Sequence, residues 1–452
     1  MKQHKHLSTD IALLIFLAGV VALLIFPILG NSALNGVELR MLNAIAEGDA
    51  VGNLSNIFNS RANIFYAAYQ YLVELLDGLL PDLPDSFVVR LPGAAIVMTM
   101  TLCLFRFDGD FERLNASFLA SLLFLSTTIV VEVTFSATPV LLPAALFIFA
   151  MMCLYHWLHH GTRRYFWLVT FSSAIATMLI GVTAPVSMAL MAYTFIAASH
   201  FRAYRRYLVI TVALVASCAA AFFAIYVLTG NAETAKCIFH LQHQFAPTGT
   251  ISDNMAYIFL SYVVLGIFPW SVPLLLSLPR LAGKANRIVG IFRNLTLLQR
   301  FGVIIFLFSL PMMLFGTELT NILLITSIFF NMPLIGKYLL LQFKHHPSVW
   351  RITGAICAGI IGLGACAFVA VNLHDAGASS PIMETWLDEV CDFLTLPNGW
   401  SKWCICITAM IFVSLYTLWR SVREIGHNNR FLYNIIALYL LAVTLVVGYI
   451  VP

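Results

Sequence analysis

The stretch "IALLIFLAGVVALLIFPILGNSALNGVELRMLNAIAEGD", residues 11–49, joins an uncharged apolar run to the first polar segment that follows it. The run from 11 to 29 is long enough to cross the roughly 30 Å hydrocarbon core of a bilayer as one helix. Glu38 and Arg40 follow shortly after its end, where either a solvated loop helix or an acidic site at a membrane surface would fit. The junction therefore predicts a membrane span followed by a structured surface segment.

Composition supports a membrane protein along the whole chain. Of the 452 residues, 60% are hydrophobic and 10% are charged, and the mean hydropathy is +0.89, which leaves too little polar surface to cover a water-soluble globule. The sequence contains no P-loop, no dinucleotide-binding glycine pattern, no zinc-protease or nucleophile-elbow motif and no nucleic-acid signature. These observations favour an integral membrane protein and exclude the common soluble enzyme classes and nucleic acid as a partner.

About thirteen apolar runs have the length of a membrane helix. The predicted spans are 11–29, 92–107, 114–131, 138–156, 165–182, 184–199, 207–229, 255–278, 301–316, 319–341, 352–373, 403–419 and 431–451. The predicted fold class is all-α polytopic, with a cytoplasmic N-terminus and first span (1–30), a large loop (31–91), a transmembrane core (92–341) and C-terminal helices (342–452). The alternative for the first run is a cleaved signal peptide, although no clear cleavage site follows it.

The distribution of charge sets the predicted orientation. With the N-terminus in the cytoplasm, thirteen spans leave only Arg40, Arg61, Arg90, Lys236 and Lys402 of the 25 basic residues outside, as the positive-inside rule requires. The C-terminus is then exterior, and the long exterior loops are 31–91, 230–254 and 374–402. We predict a bacterial inner membrane location in which the exterior face carries the functional groups.

The first exterior loop has the pattern of amphipathic helices lying in the membrane interface. Leu39, Leu42, Ile45 and Ala46 recur at helical spacing, and "NIFYAAYQYLVELLDGLL" places tyrosines at 66, 69 and 71 as interfacial aromatics. A pair of in-plane helices between the first two spans is unusual for a simple channel.

The order of several short motifs resembles the GT-C membrane glycosyltransferases, in the branch of the lipid A aminoarabinose transferases and protein O-mannosyltransferases. "VELRMLNAIAEGD" resembles the acidic motif that opens the first exterior loop of that branch, with Glu38, Arg40 and Asp49 on matching positions. "FVVRLPGAAIVM" resembles the Arg-Leu-Pro at the second span, "GVTAPVSMAL" a Lys-Gly-Pro-Val turn, and "GIFPWSVPLLLSLP" a Pro-Trp element. The chain departs from the family pattern at Val37 and Thr183, where the branch has an acid and a lysine.

The resemblance implies a GT-C bundle that transfers a sugar from a polyprenyl-phosphate lipid to a glycan, lipid or protein acceptor at the exterior face. Such chemistry needs a carboxylate that takes the acceptor proton and cations that hold the departing phosphate. The candidate catalytic acids are Glu38 and Glu132, and the further acidic candidates are Asp49 and Glu318. The candidate donor-phosphate ligands are Arg40, Arg61 and Arg90, although Arg90 would also suit a headgroup anchor of the second span.

Two other functional classes remain open from the sequence. A non-catalytic relative that binds polyprenyl lipid or a partner is favoured by the missing acid and lysine, and a flippase of lipid-linked intermediates by the many spans. His240 and His243 would share a helix face and, with an exterior acid, would bind a divalent metal, but two histidines without a third ligand equally suit a solvated surface. No cofactor other than this metal is expected.

Overall fold

The computed structural model describes residues 36–46, 64–107 apart from 82, 114–199 apart from 139, 204–230, 295–312 and 317–345, together with parts of 11–34 and of 266–274. All the secondary-structure elements of eight or more residues in these ranges are helices. The described helices are α1 (Gly36–Ala46), α2 (Ile64–Leu79), α3 (Asp85–Phe107), α4 (Leu114–Leu125), α5 (Thr128–Phe135), α6 (Leu141–His160), α7 (Arg163–Ile180), α8 (Thr183–Ser199), α9 (Tyr204–Thr229), α10 (Leu297–Met312) and α11 (Thr317–His345).

The chain divides into two compact units. The first comprises Met1–Ser271, Pro279–Lys337 and Thr444–Pro452, and it contains every site discussed below. The second comprises Val272–Leu278 and Tyr338–Val443, and apart from Leu274 and the last turns of α11 it lies outside the described residues. The predicted spans at 352–373, 403–419 and 431–451 also lie outside them, so the total of thirteen spans stays a prediction.

Four of the described helices are individually long and apolar enough to cross a bilayer: Asp85–Arg106, Leu141–His160, Tyr204–Leu228 and Asn321–Leu339. Helices α6 to α9 begin and end within a few residues of the predicted spans 138–156, 165–182, 184–199 and 207–229, and of these four helices α6 and α9 are long and apolar enough to cross a bilayer by themselves. Large apolar side chains on α7 and α9 are more than half exposed, including Trp167, Phe171, Val212, Val215 and Phe223. An exposed apolar band of this kind is stable against lipid tails and not against water, so the fold is that of an integral membrane protein.

The predicted span 114–131 consists of two helices, α4 and α5, which are long and apolar enough to cross a bilayer only as a pair and which meet at a bend of 59°. The hydroxyls of Ser126 and Thr127 donate to the carbonyls of Leu123 and Phe124, so side chains satisfy backbone acceptors at the break. The buried indole of Trp270 then donates to Ser126 Oγ at 2.8 Å. The bend is therefore fixed by polar contacts that an apolar composition does not reveal.

Helix α3 begins at Asp85, whereas the sequence placed the start of the second span at residue 92. Pro92 consequently lies inside the helix, where its missing N–H leaves the carbonyl of Val88 without the usual helical donor. Arg90 is likewise a helical residue, and its side chain is buried in the protein. The segment before the predicted span is thus part of the same helix.

The buried face of α1 differs from the predicted one. Glu38, Met41, Leu42 and Ile45 face inward at i, i+3, i+4 and i+7, and Leu39 is 46% exposed. The predicted face, which begins at Leu39, is therefore rotated by one position from the observed one, which begins at Glu38. In α2, Tyr69 is fully buried and is not an interfacial aromatic as predicted. It packs with Met41, Val73, Val88 and Val89 in the core that joins α1, α2 and α3.

The crossing of α10 and α11 depends on Gly302. A Cβ at this position would lie 2.5 Å from the carbonyl oxygen of Phe330, and Asn331 Nδ2 donates to the Gly302 carbonyl at 2.9 Å. We expect Gly302→Ala to lower the free energy of unfolding by about 1–3 kcal/mol, because backbone must move to admit the methyl group. Gly78→Ala is the matched control, since a Cβ there meets nothing within 4 Å. Denaturant titration in mixed micelles measures both, and equal stability of the two variants would contradict the prediction.

Candidate active site

A buried ion pair joins the first loop to the transmembrane bundle. Arg90 Nε donates to Glu38 Oε1 and Arg90 Nη2 donates to Glu38 Oε2, each at 2.8 Å, so the pair is bidentate. The two side chains are 0% and 2% exposed. A planar guanidinium matches a carboxylate in this two-point geometry better than any other cation, which restricts both side chains to one arrangement.

Two backbone groups complete the coordination of the pair. The third nitrogen, Arg90 Nη1, donates to the carbonyl of Leu29 at 3.1 Å, at the end of the first predicted span. The backbone N–H of Ala137, just after α5, donates to Glu38 Oε1 at 3.1 Å. The pair therefore connects four separate segments of the chain: the region of Leu29, helix α1, helix α3 and the turn after α5. We call this arrangement, formed by Glu38, Arg90, Leu29 and Ala137, the carboxylate clamp.

Tyr69 supports the clamp from the next helix of the loop. Its hydroxyl donates to the Val89 carbonyl at 3.0 Å and accepts from the Gly93 N–H at 3.2 Å, two groups that pair with each other in an uninterrupted α-helix. The tyrosine thus inserts into α3 directly beside Arg90 and Pro92. Burial raises the pKa of Tyr69 above its ordinary value, and the nearby Glu38 carboxylate acts in the same direction. The hydroxyl consequently remains a proton donor throughout the physiological pH range.

The structure brings Glu38 and Arg90 together but places the other described candidates apart from the pair. Arg40 is exposed on α1, and its Nε donates to the Gly36 carbonyl at 3.0 Å. Glu132 is exposed on α5, one turn or more before the residue that contacts Glu38. Glu318 lies in the first turn of α11, and its side chain is outside the described residues.

The remaining predicted site residues are not described by the structure. Asp49, Arg61, His240 and His243 all lie in ranges outside the described residues, so the metal site at the histidines stays a prediction. Among the described residues, no group of three or more His, Cys, Asp or Glu side chains is arranged to hold a metal ion.

The clamp is suited to holding α1 in place rather than to exchanging protons. Both Glu38 oxygens already accept hydrogen bonds from Arg90, and Oε1 accepts a further one from Ala137. The geometry therefore favours a positioning role for Glu38, whose helix presents the exposed Arg40 two residues later.

Comparison with solved structures identifies the architecture. The chain superposes on the crystal structure of ArnT from Cupriavidus metallidurans bound to undecaprenyl phosphate with a TM-score of 0.61 and 14% sequence identity, over 96% of this chain and 76% of that one. The apo form of ArnT gives a TM-score of 0.58 over the same shares. The fold is the GT-C fold of ArnT. No protein-family model and no curated protein sequence matches the chain.

Several residues of the site could not be found by sequence reasoning alone. The Ala137 N–H carries no side-chain signal, and the bridging role of Tyr69 depends on a helix twenty or more residues further along the chain. Trp270 belongs to the Pro-Trp element of the sequence, but Ser126, the residue that it contacts, lies 144 residues earlier in the chain. A usable signal was Pro92 inside the "RLPG" motif, which predicts a local disruption of helical hydrogen bonding, next to the Val89–Gly93 pair that Tyr69 bridges.

Breaking the carboxylate clamp from one side should cost more than removing both charges. We expect Glu38→Met and Arg90→Met each to lower the free energy of unfolding by about 3–5 kcal/mol, and the double variant to lose less than either single variant. Arg40→Gln, an exposed change on the same helix, is the control and should stay within about 0.5 kcal/mol of wild type. Denaturant titration in mixed micelles gives the coupling energy, and strictly additive losses would exclude the pair as a unit.

Removing the Tyr69 hydroxyl should destabilise the protein although the ring is kept. Tyr69→Phe leaves the buried Val89 carbonyl and Gly93 N–H without their bridge, with an expected loss of about 1–3 kcal/mol. Tyr226→Phe on the exposed side of α9 is the matched control. Thermal unfolding in detergent measures both, and a Tyr69→Phe variant as stable as the control would argue against the bridge.

Proposed function

We propose that the protein is a membrane glycosyltransferase that moves a sugar from a polyprenyl-phosphate donor to an acceptor at the exterior face of the membrane. The observation that carries the proposal is the GT-C fold shared with ArnT over 96% of the chain, since the structure of ArnT holds undecaprenyl phosphate. The acidic loop motif at Glu38 is a second, independent support from the sequence. A fold alone does not fix an activity, so the residues must supply the chemistry.

Arg40 is the proposed ligand of the donor phosphate among the described candidates. It is exposed on α1, whereas the guanidinium of Arg90 is used in the carboxylate clamp. A guanidinium that is fixed relative to the membrane surface can neutralise a lipid phosphate and stabilise the charge that builds on it as the sugar leaves. Because Glu38 holds the helix two residues earlier, the clamp would determine where Arg40 lies.

Glu132 is the proposed base for the acceptor hydroxyl. Its side chain is exposed on α5, and the turn that follows this helix contacts Glu38 through Ala137. An exposed carboxylate can approach an acceptor without first breaking a buried ion pair, which Glu38 cannot do. Glu38 would thus position α1, and Glu132 would take the proton of the acceptor hydroxyl.

A second candidate function is binding of polyprenyl lipid without turnover. The specific observation that favours it is the occupation of both Glu38 oxygens, which removes the acid matching the family motif from direct chemistry. Val37 and Thr183, at positions where the family has an acid and a lysine, point the same way. A protein of this kind would retain the lipid but leave the sugar attached.

The test is transfer of labelled sugar from a panel of undecaprenyl-phosphate hexoses and pentoses to membrane acceptors in reconstituted vesicles. We expect Arg40→Ala to raise the KM for donor roughly tenfold or more, and Glu132→Gln to lower kcat about a hundredfold or more with the KM unchanged. Arg164→Ala, an exposed arginine at the start of α7, is the control for loss of surface charge. If the protein binds undecaprenyl phosphate but transfers sugar from no donor, the glycosyltransferase proposal is wrong and the second candidate function, lipid binding without turnover, is supported.

A further inference from the structure

Helix α2 carries a second polar face that the carboxylate clamp does not use. Gln70 and Glu74 are one turn apart on this helix, so their side chains share a face. Gln70 is only 5% exposed and Glu74 is half-buried. Within the part of the chain that the structure describes, neither Gln70 Nε2 nor the buried Glu74 Oε2 has a hydrogen-bond partner.

An amide nitrogen and a carboxylate oxygen that are buried without a hydrogen-bond partner lower the stability of the fold. A buried polar atom without a partner loses its hydration and gains nothing in return, and protein interiors therefore contain few of them. Apolar side chains of similar size would be expected at these positions if packing alone determined the residue type. The two groups are thus better explained by a ligand that completes their hydrogen bonds.

The helix that carries the pair is held firmly on both of its flanks. Tyr69 and Val73 pack against α1 and α3, and Ala68 packs on the other side against Ile225 of α9. Gln70 and Glu74 therefore cannot satisfy themselves by a simple rotation of α2. Donor and acceptor are fixed in advance, as a recognition site requires.

The chemistry of the pair selects the class of ligand. An amide N–H cannot bind a metal ion because it has no lone pair to give, and a carboxylate repels a phosphate. A hydroxyl both accepts from an N–H and donates to a carboxylate, so adjacent hydroxyls on a neutral ring satisfy both groups together. We propose that Gln70 and Glu74 bind hydroxyl groups of a sugar, either the sugar of the lipid donor or that of a glycan acceptor.

This inference rests on the proposed function for its choice of substrate, but its test does not require turnover. Thermal unfolding of the purified protein in detergent is measured alone, with undecaprenyl phosphate, with undecaprenyl-phosphate hexoses and pentoses, and with the corresponding methyl glycosides. The difference between the sugar-bearing lipids and bare undecaprenyl phosphate isolates a contact with the donor sugar. A shift with methyl glycosides alone assigns the site to the acceptor sugar.

In the wild-type protein we expect Tm to rise either with the sugar-bearing lipids beyond the rise with bare undecaprenyl phosphate, or with the methyl glycosides. Gln70→Met and Glu74→Met should abolish it, corresponding to sugar-dependent binding weakened roughly tenfold or more, while stabilisation by bare undecaprenyl phosphate is kept. Without ligand, both variants should unfold at the same or a higher temperature than wild type, because an apolar side chain replaces an unpartnered polar one. Asp77→Asn, at an exposed position on the same helix, is the control and should retain the shift.

Three results would overturn the inference. The first is a wild-type protein whose Tm does not change with any sugar-bearing lipid or methyl glycoside, which would mean that ordered water alone fills the site. The second is a sugar-dependent rise in Tm that persists in both methionine variants. The third is a lower Tm of the ligand-free variants than of the wild type, which would mean that Gln70 and Glu74 have a structural role. Failure of the proposed function is a different result, namely a lack of sugar transfer in vesicles, and it leaves the binding measurement intact.

Discussion

The bidentate ion pair of Glu38 and Arg90 is the contact on which the organisation of the first loop depends. A carboxylate and a guanidinium removed from water lose hydration worth several kcal/mol each, and only near-ideal geometry with further hydrogen bonds compensates this. Here the Leu29 carbonyl and the Ala137 N–H provide those bonds. Because each partner comes from a different segment, neither charge is satisfied unless all the segments are in place. The pair therefore favours one arrangement of the loop over others of similar packing quality.

Irregular backbone accompanies this site, and side-chain hydroxyls satisfy several of the backbone groups that it frees. The hydroxyl of Tyr69 bridges Val89 and Gly93 beside Pro92, and Ser126 and Thr127 bind the last carbonyls of α4 at its 59° bend. In a hydrocarbon environment an unsatisfied backbone group costs several kcal/mol, so non-helical turns persist only where protein groups replace water. The helix breaks are consequently features built around the site, and they bring the turn after α5 within reach of Glu38.

The sequence contained enough information to predict the fold class and both members of the ion pair, but not the pair itself. Apolar runs of membrane length and the order of short motifs led to the GT-C architecture, and Glu38 and Arg90 were each chosen from motifs. Their contact spans 52 residues, and no local pattern signals it. The same limit explains the differences. The face expected for α1 leaves out Glu38, whose partner lies 52 residues away, and the bend at Ser126 involves Trp270, 144 residues further along the chain.

In helix α2, the hydrogen bonds of one side chain, Tyr69, help to keep the unpartnered polar atoms of Gln70 and Glu74 buried. Tyr69 and Gln70 are adjacent in sequence. The hydroxyl of Tyr69 makes two buried hydrogen bonds with α3, whereas Gln70 Nε2 has no hydrogen-bond partner among the described residues. If α2 were loosely held, a small movement would expose Gln70 and Glu74 to water and remove their cost. The bridge from Tyr69 opposes that movement, and the Ala68–Ile225 contact opposes it from the other side. Stability supplied by one face of the helix can therefore keep the other face ready for a ligand, which is the physical basis of preorganised recognition.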